Sequence, residues 1–114
     1  DVVLVGYGIV ARVLKAVAAE AREMGLSVGV LRPITLYPFP TTFFQKRAER
    51  AKVFLVVEMS TGQLIEDVKL ALNGARPVEF YSRVGGNVPA HEEVLELTKQ
   101  LARRCAEVEQ VAHV

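Results

Sequence analysis

The chain has 114 residues, 51% of them apolar and 24% charged, with a net charge of +1. That is ordinary globular composition, enough for one core and too little for a second. Cations scattered among acids give no electrostatic reason to bind nucleic acid or an acidic membrane surface, and no apolar stretch approaches the roughly 20 residues of a membrane span.

Val2 to Val5 is a short run, apolar on both faces, as a central parallel strand requires. A helix is expected from Ile9 to Met24, because Val10, Val13, Leu14, Val17, Ala18 and Ala21 recur at three- and four-residue spacing opposite charged positions. Gly25 is its stop signal. Leu26 to Leu31 reads as the second strand. Pro33, Pro38 and Pro40 forbid a helix until Thr41 or Thr42 can cap one, running to Arg50.

Val53 to Val57 is a third buried strand. Ser60 and Gln63 stand three apart, the capping-box spacing, and open a helix with Leu64, Ile65, Val68 and Leu72 inward that stops near Asn73-Gly74. Pro77 to Ser82 is the fourth strand, and a proline at its start suits an edge. Pro89 starts the last helix, with Glu92 and Glu93 in its first turn and Val94, Leu95, Leu97, Leu101 and Ala102 on its buried face. From Cys105 onward the pattern fades, and a frayed tail is expected. Strand and helix alternate four times, which implies right-handed crossovers and a parallel sheet covered on both faces.

Function in such folds gathers at the carboxyl ends of the strands. Gly6-Tyr7-Gly8-Ile9-Val10-Ala11 fits the G-x-G-x-x-A dinucleotide pattern between strand and helix. The acid that should follow the second strand to grip a ribose is absent, and Arg32 stands there instead. Arg32 suits a 2′-phosphate, so an NADP or nucleotide-binding module remains one reading. A plain tight turn is the other.

Glu58 ends a buried strand, where a carboxylate can serve as an acid or base. It has no catalytic partner nearby in sequence, which favours a carboxylate bonded to backbone amides of a loop or of a partner domain. His91 and His113 lack ligand spacing to each other or to Cys105. That single cysteine cannot form an internal disulfide and points to a reducing cytoplasm. Tyr37, Phe39, Phe43 and Phe44 crowd around three prolines, an arrangement that fits both a core and an interface anchor.

Taken together, Val5-Gly6-Tyr7-Gly8, the stretch Leu31-Arg32-Pro33-Ile34-Thr35-Leu36-Tyr37-Pro38-Phe39-Pro40, Val57-Glu58-Met59-Ser60-Thr61-Gly62-Gln63-Leu64 and Arg83-Val84-Gly85-Gly86 closely resemble the C-terminal domain of the alpha subunit of 2-oxoacid:ferredoxin oxidoreductases. The resemblance runs to about Ala102. It implies a transketolase C-terminal-like α/β/α sandwich with a mainly parallel four-stranded sheet in the order 2-1-3-4. It also implies that residues 1–114 are one domain of a longer alpha subunit, behind a pyrimidine-binding domain, with Asp1 a cut point.

The parent enzyme would decarboxylate a 2-oxoacid oxidatively to acyl-coenzyme A and pass electrons to ferredoxin. Thiamine diphosphate and magnesium would sit in the beta subunit, iron–sulfur clusters elsewhere in the complex, and no cofactor, metal or catalytic residue in this domain. The activating glutamate of that family belongs to the preceding domain, so Glu58 does not take its role. Ser60 departs from the asparagine common at its position. A transketolase or thiamine-dependent dehydrogenase domain is the alternative within the same fold. Gly6, Tyr7, Gly8, Arg32, Tyr37, Phe39, Glu58, Ser60, Thr61, Gly62, Gln63 and Arg83 are the candidates for an interface or anion site, in a homo- or hetero-oligomer.

Overall fold

A computed structural model of the chain describes residues 2–32, 41–58, 63–82 and 90–112, with the backbone alone for 63 and 106–112. Among the described residues, four strands and four helices alternate: β1 (Val2–Val5), α1 (Ile9–Glu23), β2 (Val28–Leu31), α2 (Thr41–Ala48), β3 (Val53–Glu58), α3 (Gln63–Leu72), β4 (Val78–Ser82) and α4 (His91–Ala112). The strands form one parallel sheet in the order β2-β1-β3-β4. The proline-led fourth strand lies at an edge, as expected, and the Pro77 carbonyl accepts the first cross-strand bond from Phe54 N at 3.0 Å.

Strand alternation divides the core in two. Val2 and Leu4 of β1 and Val53, Leu55 and Val57 of β3 pack with α1 and α4. Val3 and Val5, with Phe54 and Val56, pack with α2 and α3 on the opposite face. β1 and, up to Glu58, β3 are therefore apolar, because each successive side chain meets a different helical layer. On the α2 side the Phe44 and Phe54 rings meet with centroids 6.2 Å apart. Each fully buried ring of this kind contributes about 1.5–3 kcal/mol by removal from water.

α1 ends at Glu23 rather than Met24, α2 at Ala48 rather than Arg50, and β4 starts at Val78 rather than Pro77. Three other boundaries differ from the sequence reading as well. The second strand starts at Val28, not Leu26, because the end of α1 consumes the intervening residues. Gly25, at φ +88°, lets its N–H reach Arg22 O and the Leu26 N–H reach Ala21 O, each at 3.0 Å. This double closure is the Schellman arrangement, and it needs a left-handed residue where glycine stands. The third strand runs one residue further, to Glu58, which pairs with Ser82 of β4.

The third difference is the tail. The helix expected to fade at Cys105 continues to Ala112. No glycine or proline interrupts residues 105–112, and the alanines and glutamates there are good helix formers. Buried Thr98, which the apolar periodicity passes over, donates its hydroxyl to Val94 O at 2.8 Å and so satisfies itself within α4.

Candidate functional site

The sheet order places β1 beside β3, with α1 on one face and α3 on the other. The ends of these two strands form the switch point where ligands and partners of such sheets are met. Gly6 ends β1. Its N–H donates to Leu31 O at 3.2 Å, which ties the ends of β1 and β2 together. A β-carbon at Gly6 would lie 2.8 Å from Leu14 Cδ1, 2.9 Å from Val10 Cγ1 and 3.3 Å from Val57 O. The missing side chain thus lets α1 pack directly onto the strand end.

Gly8 has a different reason. It caps α1 at φ +64° and ψ −138°, a conformation that L side chains rarely adopt, and nothing within 4 Å would obstruct a β-carbon there. The two glycines of the fingerprint therefore answer to helix packing and to turn geometry. Between and after them, Tyr7 and Ile9 are exposed, and Arg32 is exposed just beyond β2. The topology brings all three to the carboxyl end of the parallel sheet.

Glu58 is 2% exposed at the end of β3. Its Oε1 accepts the Leu64 N–H at 2.9 Å, and its Oε2 accepts the Ile65 N–H at 3.2 Å. Both oxygens thus engage amides in the first turn of α3, where the helix dipole favours negative charge. The sequence reading gave Glu58 backbone amides of a loop or of a partner domain; the amides it meets belong to the helix that follows it. The carboxylate does from the preceding strand what a capping residue does from one turn away.

Of the remaining candidates, Gln63 opens α3. Tyr37, Phe39, Ser60, Thr61, Gly62 and Arg83 lie outside the described residues, as does the capping-box contact expected of Ser60. Two surface contacts near the start of α4 were not legible in the sequence. His91 Nε2 pairs with Glu20 of α1, and the Tyr81 hydroxyl of β4 donates to Glu93. No spacing rule predicts either, because each joins positions distant in sequence or on different elements. Among the described residues, no three His, Cys, Asp or Glu side chains gather to hold a metal ion, and no helix is long and apolar enough to cross a membrane.

The fold is shared with a solved chain described as a split-gene transketolase, inactive beta4 tetramer. The TM-score is 0.67 at 20% identity, over 72% of this chain and 29% of that one. In sequence, the chain is 45% identical over 102 residues to the ketoisovalerate oxidoreductase subunit VorB of Methanothermobacter marburgensis, and 33% identical over 102 residues to the 2-oxoglutarate synthase subunit KorA of Methanothermobacter thermautotrophicus. Each match covers 90% of this chain, which spans 29% and 27% of those relatives. Residues 1–94 match the family model described as pyruvate:ferredoxin oxidoreductase core domain II. The chain, with its parallel 2-1-3-4 sheet, is a member of the pyruvate:ferredoxin oxidoreductase core domain II family.

Proposed function

We propose that this chain is a non-catalytic assembly domain in the alpha subunit of a thiamine-diphosphate-dependent 2-oxoacid:ferredoxin oxidoreductase. The reaction of the whole enzyme is oxidative decarboxylation of a 2-oxoacid to acyl-coenzyme A, with electrons passed to ferredoxin. The family match over residues 1–94 carries this reading. The state of Glu58 supports the non-catalytic part, since both carboxylate oxygens already serve the first turn of α3.

The described residues do not fit magnesium or an iron–sulfur cluster. They gather no metal-binding set of acids, histidines and cysteines, and the one cysteine is buried in α4. Thiamine diphosphate and those groups belong to the pyrimidine-binding domain, the beta subunit and the cluster-bearing parts of the complex. What this chain does is hold the carboxyl end of its sheet, carrying Tyr7, Ile9 and Arg32, against those neighbours in a cytoplasmic oligomer. Residues 1–114 then form one domain of a longer subunit.

Gly6, the tight-turn glycine of the fingerprint, packs on Leu14 and Val10, whereas Gly8, where a pyrophosphate would approach, is open, so titration with NADP(H) decides the nucleotide reading. The test uses the full-length enzyme with Glu58→Gln. Glutamine keeps one acceptor for α3, so turnover per assembled enzyme with a 2-oxoacid, coenzyme A and ferredoxin is expected to stay within about twofold. A fall of about a hundredfold or more in fully assembled enzyme would give Glu58 a chemical role and overturn the assembly reading.

A further inference from the structure

Away from the carboxyl ends of the strands, charge is distributed unevenly between α2 and the first half of α4. Residues 41–52, α2 and its following turn, carry Lys46, Arg47, Arg50 and Lys52 against a single acid, Glu49. Residues 91–100, the first half of α4, carry Glu92, Glu93 and Glu96 against a single amine, Lys99. The sheet stands between these layers.

Each layer also exposes apolar surface beside its charges. Phe43 on α2 is 65% exposed. It shares a stripe with Lys46 and Arg50, at i, i+3 and i+7, turned away from the buried Phe44 and Ala48. Backbone bonds from Glu49 N to Lys46 O, and from Arg50 N and Ala51 N to Arg47 O, carry the helical spacing past the end of α2. On the other layer, β4 and α4 enclose an open groove of about 460 Å³, lined by Tyr81, Leu97, Gln100, Glu92, Glu93 and Glu96. The Tyr81 hydroxyl holds Glu93 against its wall.

The spacings match. Lys46 and Arg50 are four residues apart, and so are Glu92 and Glu96, which places each pair about 6 Å apart along its helix. We propose that the β4–α4 groove receives the α2 stripe of a second copy of this chain, with the Phe43 ring over Tyr81 and Leu97 and the Lys46 and Arg50 cations against Glu92 and Glu96. The competing partner of Glu96 is Arg103, 3.7 Å away, and both side chains of that pair are more than half exposed. An exposed pair of this kind holds its members weakly.

The two surfaces lie on opposite faces of one sheet, so they cannot meet within a molecule. The contact is head-to-tail between copies. One helical stripe in one groove covers less than the roughly 800 Å² per partner of a standard interface, so it works inside an assembly held together elsewhere. It does not rest on the redox reading of the parent enzyme.

The test is zero-length carbodiimide coupling of amines to carboxylates in the full-length protein, read by mass spectrometry. A peptide joining Lys46 to Glu92 or Glu96 is expected, and the intervening sheet means it reports two copies. Glu66 and Lys69, three apart on α3, report that the reagent works. Phe43→Ser leaves both coupling groups in place, removes the exposed anchor, and is expected to lower the yield about tenfold. The proposal is overturned by any of three results: no such peptide while Lys69 couples to Glu66, Lys46 joined to a different subunit, or a yield unchanged by Phe43→Ser.

Discussion

Two strand-to-helix turns flank the switch point, and they solve the same problem by opposite means. At the end of β1 the chain removes side chains. Gly6 lets Val10 and Leu14 of α1 close onto the strand, and Gly8 supplies the positive φ of the cap. At the end of β3 it adds a buried charge, and Glu58 binds the Leu64 and Ile65 amides of α3. The first turn resembles a phosphate cradle and the second a catalytic acid, yet in both the visible contacts are structural. A motif states what a backbone permits, and only its neighbours show what uses that permission.

The largest effect expected from breaking this comparison is at Glu58. Glu58→Ala leaves two buried amides without their acceptor and is expected to cost about 3 kcal/mol. Urea unfolding measures it, and Glu58→Gln should recover part of the loss because one acceptor oxygen remains. Equal losses for both variants would show that the contacts to α3 are not what matters there.

Next comes Gly6→Ala, expected to cost about 2 kcal/mol through overpacking against Leu14 and Val10. Leu14→Val in the same chain should relieve part of that cost, so a double-mutant cycle tests the close approach directly. Strictly additive losses would refute it. Gly8→Ala meets open space, and its cost of about 1–2 kcal/mol is conformational alone. A second substitution in the surroundings should not rescue it.

The smallest expected effect is none. Calorimetric titration with NADP(H) should give no micromolar binding, before or after Gly8→Ala. Heat of binding that the substitution abolishes would return the β1 turn to the nucleotide reading.

Much of the fold was legible beforehand because its signals are local. Period-two and period-3.6 apolar patterns, Gly25 past α1, Asn73-Gly74 past α3 and Pro77 before β4 each act over a few residues. They specify the elements and their alternation without any knowledge of neighbours. The sheet order came from the family resemblance, which other stretches carry, residues 5–8, 31–40, 57–64 and 83–86. The end of α4 escapes such a reading because an amphipathic stripe weakens at Cys105 while helix propensity does not.

The site was less legible, since its content is set by contacts between elements. The sequence by itself determined that a glycine and a glutamate would end the two central strands. Tertiary packing decided that Gly6 faces Leu14 and that Glu58 meets α3, because a side chain's role depends on which layer its strand position faces. It also joined His91 to Glu20 and Tyr81 to Glu93 across gaps that no local pattern spans. Local propensity acts through the chain's own dihedrals, whereas those pairings exist only once the sheet has brought distant segments together.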